Sequence, residues 1–198
     1  MPGPLQPDPR SDHELVAAIN AGDADAFEAL YHRHRDYALK LAMRFCGERS
    51  LALDAVQDSF IYVYKKFPGF VLTAKFTTFL YPVVKHNALT AKKKARRTQG
   101  QTGGGDAGDG DPLGRRADTR APDPARDFDD APGSGVAKLV ASLPEAQREV
   151  LMLRFVDELP LEEIAQALEI PLGTVKTRIH HAVRKLRDDP ATKKFFAP

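Results

Sequence analysis

The chain has 198 residues, a formal charge of +2, 42% hydrophobic residues, one cysteine and no tryptophan. That length accommodates one ordinary domain or two small ones, and the single Cys46 excludes an internal disulfide framework and a cysteine-based zinc site. No apolar run approaches the ~18 residues of a membrane span, and Met1–Arg10 carries four prolines where a signal peptide needs an apolar core, so a cytoplasmic protein without membrane insertion is expected.

The near-neutral total conceals a strong segregation of charge. Residues 1–97 sum to +5, residues 98–135 to −4 and residues 136–198 to +1. Between Asp58 and Asp106 there is no acidic residue but there are nine Lys/Arg. In the last third, Glu145–Glu169 is net −5 and Gly173–Arg187 is net +5. Two basic surfaces, the footprint of nucleic-acid binding, are hidden in the average.

In chain order, residues 1–11 read as a disordered start, and helical periodicity then dominates residues 12–97 with no strand-like alternation. Asp12–Asn20 is a short helix, and Asp23 caps a long second one that Gly47 ends. Phe27, Leu30, Tyr31, His34, Ala38, Leu41 and Phe45 form its buried stripe, which makes His34 a core histidine rather than a ligand. A third helix, about residues 50–66, is expected to bury Leu53, Val56, Phe60, Val63 and Phe67. It turns Asp54, Asp58, Ile61 and Lys65 outward, with Gln57 at the flank, and an isoleucine beside two carboxylates suits a partner surface.

Eight of the sixteen aromatics lie between Phe60 and Tyr81, interleaved with Lys65, Lys66 and Lys75 and followed by Lys85, with no acid among them. This is the composition for stacking unpaired bases beside a phosphate track, although the same rings could simply pack the helices. A fourth helix, about residues 78–97, carries Pro82 near its start and then Lys85, His86, Asn87, Lys92, Lys93 and Arg96.

Residues 98–135 are rich in Gly, Asp, Pro and Ala, too poor in apolar side chains to offset chain entropy, and read as a flexible acidic linker. In the second domain, residues 136–187, Pro144 opens a helix. Two further apolar stripes follow: Leu161, Ile164, Ala165 and Leu168, then Val175, Ile179, Ala182, Val183 and Leu186, separated by a break at Glu169–Leu172. An acidic helix, a tight turn and a basic helix are the pattern of a helix-turn-helix. Thr174, Thr177, Arg178 and His181 lie opposite the second stripe, with Lys176, Arg184 and Lys185 on its flanks, placed for base edges and phosphates. Residues 188–198 are a tail. The expected fold class is therefore all-α, two small helical domains joined by a disordered linker.

Both ends resemble one family, the bacterial RNA polymerase sigma factors of the compact extracytoplasmic-function (ECF) type, which keep only regions 2 and 4. LDAVQDSFIYVYK (Leu53–Lys65) resembles the core-binding motif of region 2, and FTTFLYPVVKHNALTAKKKARR resembles the segment that opens and reads the −10 promoter element. LPEAQREVLMLRF and EIAQALEIPLGTVKTRIHHAVRKL resemble region 4, which reads the −35 element. The resemblance implies a polymerase-binding set of Asp54, Gln57, Asp58, Phe60 and Ile61, directed to the clamp helices of the beta-prime subunit of core RNA polymerase, whose beta subunit is a further partner. It implies −10 recognition by Lys75, Phe79, Lys85, His86, Asn87 and Lys92, with the Phe67–Lys75 loop holding a flipped base. The −35 set is Thr174, Lys176, Thr177, Arg178, His181 and Arg184. Promoter DNA is the ligand, and an anti-sigma factor is a further implied partner. The chain departs from the family in having Tyr64 and Phe79 where tryptophan is usual, Pro82 where a basic residue is common, Glu169 for a turn glycine and Pro171 for a capping serine.

The rival reading is a conventional helix-turn-helix regulator that binds duplex DNA without replacing a sigma subunit. An enzyme is disfavoured: His32, His34 and Cys46 share no ligand face, and neither a glycine-rich phosphate loop nor a plausible triad is present, so no catalytic residue, metal or cofactor is expected.

Overall fold

A computed structural model describes residues 8–98 and 139–189, all-helical in their regular structure; residues 1–7, the expected linker apart from Thr98, which ends a helix, and all but the start of the expected tail lie outside the described residues. The chain divides into two compact units, Met1–Ala117 and Asp118–Pro198.

In the first unit, α1 (Asp12–Asn20) begins with a reciprocal cap: the Glu14 N–H donates to the Ser11 hydroxyl and the Ser11 N–H donates to the Glu14 carboxylate. It ends where Gly22, at φ 97°, takes the left-handed conformation and the Gly22 and Asp23 N–H groups close on the Ile19 and Ala18 carbonyls. Asp23 then caps α2 (Ala24–Cys46), accepting from the Ala26 N–H at 3.1 Å. The α2 core face is Ala26, Leu30, His34, Ala38, Leu41, Ala42, Phe45 and Cys46, close to the expected stripe. Helices α3 (Arg49–Tyr64) and α4 (Phe76–Thr98) complete the unit; α4 packs on both α2 and α3, and α1 packs on α2. Pro82 lies inside α4, which continues through it.

Two expectations for this unit need correction. Helix α3 buries Ala52, Ala55, Val56, Ser59, Phe60 and Val63, while Leu53 is exposed and Phe67 is only half-buried. Small side chains, which a hydrophobic stripe overlooks, form the seam: the Asn87 amide of α4 donates to the Ser59 hydroxyl at 3.0 Å. The second concerns the described part of the start, residues 8–11, which is held down rather than loose. Arg10 pairs with Asp8 and Asp23 at 2.7 and 2.8 Å, and Arg33 donates to the Asp8 and Arg10 carbonyls and to Asp12.

The second unit holds α5 (Glu145–Phe155), α6 (Leu161–Ala167) and α7 (Leu172–Asp188), preceded by a helical segment at residues 139–141. Pro144, Pro160 and Pro171 stand at the three N-caps, where a missing N–H costs nothing. Val140, Leu143, Leu151, Ala182 and Leu186 form a core cluster, and α7 packs on both α5 and α6. Ala167 rather than Ala165 is buried on α6, and Val183 of α7 faces outward instead of joining the core. The α6–α7 turn closes with the Glu169 N–H on the Gln166 carbonyl and the Ile170 N–H on the Ala165 carbonyl. Glu169 therefore occupies the left-handed position, φ 51°, that a glycine fills without strain.

Candidate nucleic-acid and polymerase interfaces

The outward face of α3 exposes Asp54, Gln57 and Asp58 together with Leu53 (48% exposed), Ile61 (43%) and Tyr64 (59%). Three apolar side chains among two carboxylates make a surface that loses apolar area to water until something covers it. Leu53 and Tyr64 extend the set read from sequence. Phe60 does not belong to this surface: it is 4% exposed and its ring stands edge-on to Tyr31 at 4.8 Å, supporting the face from behind.

Beyond α3, residues 65–75 form a loop walled by aromatic rings. Successive centroid distances run Tyr64–Phe27 5.0 Å, Phe27–Phe67 6.4 Å, Phe67–Phe70 5.5 Å, Phe70–Phe79 4.6 Å and Phe79–Phe76 6.1 Å. Phe67, Phe70 and Phe79 are each half-buried, so these three rings keep part of their surface open while their neighbours fix their angles; Phe76 is fully buried. Lys75 is exposed at the end of the loop, where its carbonyl accepts the first turn of α4.

The remaining −10 candidates divide. Lys85 and His86 are half-buried, the Lys85 ammonium lying 5.7 Å from the centre of the Phe45 ring. Asn87 is committed to Ser59, and the Lys92 ammonium donates to the Phe45 carbonyl at 2.8 Å, at the C-terminal end of α2 where a cation is favoured. Both hold α4 in place. Exposed cations follow on the last turns of α4 at Lys93, Lys94, Arg96 and Arg97.

On α7 the arrangement is plainer. Lys176, Thr177, His181 and Arg184 are exposed and Thr174 and Arg178 half-buried, while Val175, Ala182 and Leu186 anchor the opposite side. The Thr177 hydroxyl donates back to the Gly173 carbonyl at 2.9 Å, leaving its oxygen as an acceptor. Among the described residues no hydrogen bond or ion pair engages the side chains of Lys176, Arg178 or Arg184.

His34 is, as expected, a core residue. Its Nε2 lies 2.9 Å from Asp12 and its ring 4.8 Å from Phe76. Burial pushes the imidazole pKa down despite the neighbouring carboxylate. Burial alone would raise Asp12, but hydrogen bonds from Arg33 and His34 outweigh it and hold Asp12 below the ordinary carboxylate value. The Arg10 guanidinium and N–H lower Asp8 to about 2. Among the described residues no cluster of His, Cys, Asp or Glu could hold a metal ion, and no helix is long and apolar enough to cross a membrane.

Residues 30–98 match the model of Sigma-70 region 2, and residues 139–188 match that of Sigma-70, region 4. The ECF RNA polymerase sigma factor SigW of Bacillus subtilis is 29% identical over 174 residues, 87% of this chain and 92% of SigW. The RNA polymerase sigma-H factor of Pseudomonas aeruginosa is 30% identical, covering 86% of this chain and 89% of its own. The ECF sigma factor ShbA of Streptomyces griseus is 30% identical over 184 residues, 87% of this chain and 92% of its own. The chain therefore belongs to the ECF family of RNA polymerase sigma factors. The fold agrees: CnrH, solved in complex with the cytosolic domain of CnrY, superimposes with a TM-score of 0.60 at 21% identity over 89% of this chain and 94% of that one. RpoE of Bartonella quintana, solved with the anti-sigma factor NepR, gives 0.54 at 19% identity over 82% and 94%.

Proposed function

We propose that this sigma factor is a promoter-specificity subunit with no catalytic activity of its own, acting in the cytoplasm, and that its interfaces divide as follows. The outward face of α3, with Leu53, Asp54, Gln57, Asp58, Ile61 and Tyr64, meets the clamp helices of core polymerase. Helix α7 enters the major groove at the −35 element, with Arg178, Thr174 and Thr177 toward base edges and Lys176, His181 and Arg184 toward phosphates. The 65–75 loop and α4 hold unpaired bases of the −10 element on Phe70 and Phe79, with Lys75, Lys85 and His86 beside the backbone; Asn87 and Lys92 set the position of α4.

The observation that carries this reading is the occurrence of regions 2 and 4, in that order, in one chain. Energetics fit a shared task. Unstacking a base costs a few kcal/mol and stacking it on an aromatic returns about 1–3 kcal/mol, so opening a duplex requires the polymerase contacts as well. The B. quintana RpoE complex, formed with an anti-sigma factor, supports an anti-sigma partner for this chain too.

Transcription by core polymerase over a library of genomic fragments, with and without the purified chain, tests the proposal. Initiation at a discrete subset of fragments only in its presence is the expected result. Tight duplex binding by the chain alone, with no fragment transcribed, would establish the conventional regulator instead.

A further inference from the structure

The base-holding loop is fixed by a residue of α1, an element to which the preceding reading gives no part in DNA binding. Asn20, the last residue of α1, spans the loop with both ends of its amide. The Gly69 N–H donates to Asn20 Oδ1 at 2.7 Å, and Asn20 Nδ2 donates to the Phe70 carbonyl at 2.8 Å. One side chain thus satisfies a donor and an acceptor on adjoining residues, which neither an aspartate nor a leucine of similar size can do. Gly69 sits at φ 106°, open to glycine and rarely to other residues, so the bond from its N–H fixes a backbone that would otherwise have many alternatives. Phe70, held through its carbonyl, places its ring between Phe67 and Phe79. Immediately beyond, Val71 projects into solvent and Leu72 returns to the core.

Asn20 is itself presented from a fixed support. The turn after it is closed by the Gly22 and Asp23 N–H groups, and Asp23 is tied to Arg10 at 2.8 Å. The other end of α1 is held where Asp12 receives Arg33 at 2.7 Å and meets His34 at 2.9 Å. A group that orients a contact residue is effective when its own rotamer is locked in this way.

We propose that Asn20 is a positioning residue for single-stranded promoter DNA: its amide clamps Gly69 and Phe70 so that Phe70 and Phe79 keep the spacing at which they receive an unpaired base. The inference rests on the reading of the loop and α4 as the −10 site. Asn20 touches no DNA in this account; it acts through the loop backbone.

The test uses full-length chain assembled with core polymerase on a promoter fragment that the unaltered chain transcribes, with permanganate reactivity of unpaired thymines as the readout. Asn20→Ala removes two hydrogen bonds and lowers that reactivity roughly tenfold at limiting holoenzyme, with polymerase affinity unchanged. Val16→Ala, which deletes buried methyl groups of the same helix and leaves both Asn20 hydrogen bonds in place, is the control for stability and retains opening. Unchanged reactivity in Asn20→Ala, or an equal loss in Val16→Ala at equal thermal destabilisation, overturns the positioning role. Phe79→Ala separates the two levels: if it lowers opening and Asn20→Ala does not, only the clamp fails, whereas if Phe79→Ala is also silent the −10 reading falls with it.

Discussion

The two units use the same residue types in opposite ways. On α7 of the second unit, Lys176, Arg178 and Arg184 lie on a helix whose other face is anchored by Val175, Ala182 and Leu186, and among the described residues no hydrogen bond or ion pair engages their side chains. In the first unit, polar side chains in the corresponding role are partly built into the scaffold: Asn87 joins α4 to α3 and Lys92 closes the end of α2. Under the proposed function, the difference matches the DNA each unit would meet. Reading an intact groove needs charged tips projecting from a rigid rod, whereas holding an unpaired base needs a pocket of rings whose walls stay fixed.

The largest expected effect breaks the first unit from within. Phe60→Ala empties a buried site against Tyr31 and costs about 3–5 kcal/mol of stability, so its loss of polymerase binding comes with loss of the fold. All five tyrosines lie between Tyr31 and Tyr81, so tyrosine fluorescence during denaturant unfolding follows the first unit alone. In the second unit, Arg178→Ala weakens use of the upstream element by about 1–3 kcal/mol with no change in unfolding, measured as transcription from templates with and without that element. An equal loss on both templates would move Arg178 out of the groove. Ile61→Ala on the α3 face lowers polymerase affinity by about 1–2 kcal/mol and leaves the tyrosine-detected transition in place, the reverse of Phe60→Ala.

Much of this contrast was legible in the sequence, for identifiable reasons. The expected bounds of α1, Asp12–Asn20, are those the structure has, because the Ser11–Glu14 cap and the Gly22 turn that set them are local. The acid-free face of α7 was equally visible, because a helix–turn–helix pattern leaves one face uncovered. What escaped depends on distant partners. A stripe that counts large apolar residues puts Leu53 in the core, while the buried face of α3 includes the small Ala52, Ala55 and Ser59, the last bonded to Asn87 of α4. Asn20 meets loop residues fifty positions away, and Arg33 reaches the Asp8 carbonyl across twenty-five, so no spacing rule announces either.

Burial holds His34 below its ordinary value of 6.5, so as pH falls the unfolded chain binds the proton first. The stability this contributes is complete above that value and is lost as pH falls from it through the lower folded value; Asp12, depressed below 3.8, adds a further loss only in stronger acid. Tyrosine-detected unfolding at pH 7.5 and 5.5 should show the decline in the unaltered chain and a weaker one in His34→Gln. Smallest is Glu169→Gly, which relieves the left-handed residue of the α6–α7 turn and stabilises the second unit by up to about 1 kcal/mol. A lower melting temperature in that variant would show that the glutamate side chain contributes more than its backbone costs.

The division of labour itself is tested most directly by placing a photo-crosslinking amino acid at Phe79 or at Thr177 of the full chain, in complex with core polymerase on a promoter it transcribes. Position 79 should crosslink to the non-template strand within the permanganate-reactive segment, and position 177 to intact duplex upstream of it. Crosslinks from both positions to the same duplex segment, or from position 79 to duplex alone, would contradict it.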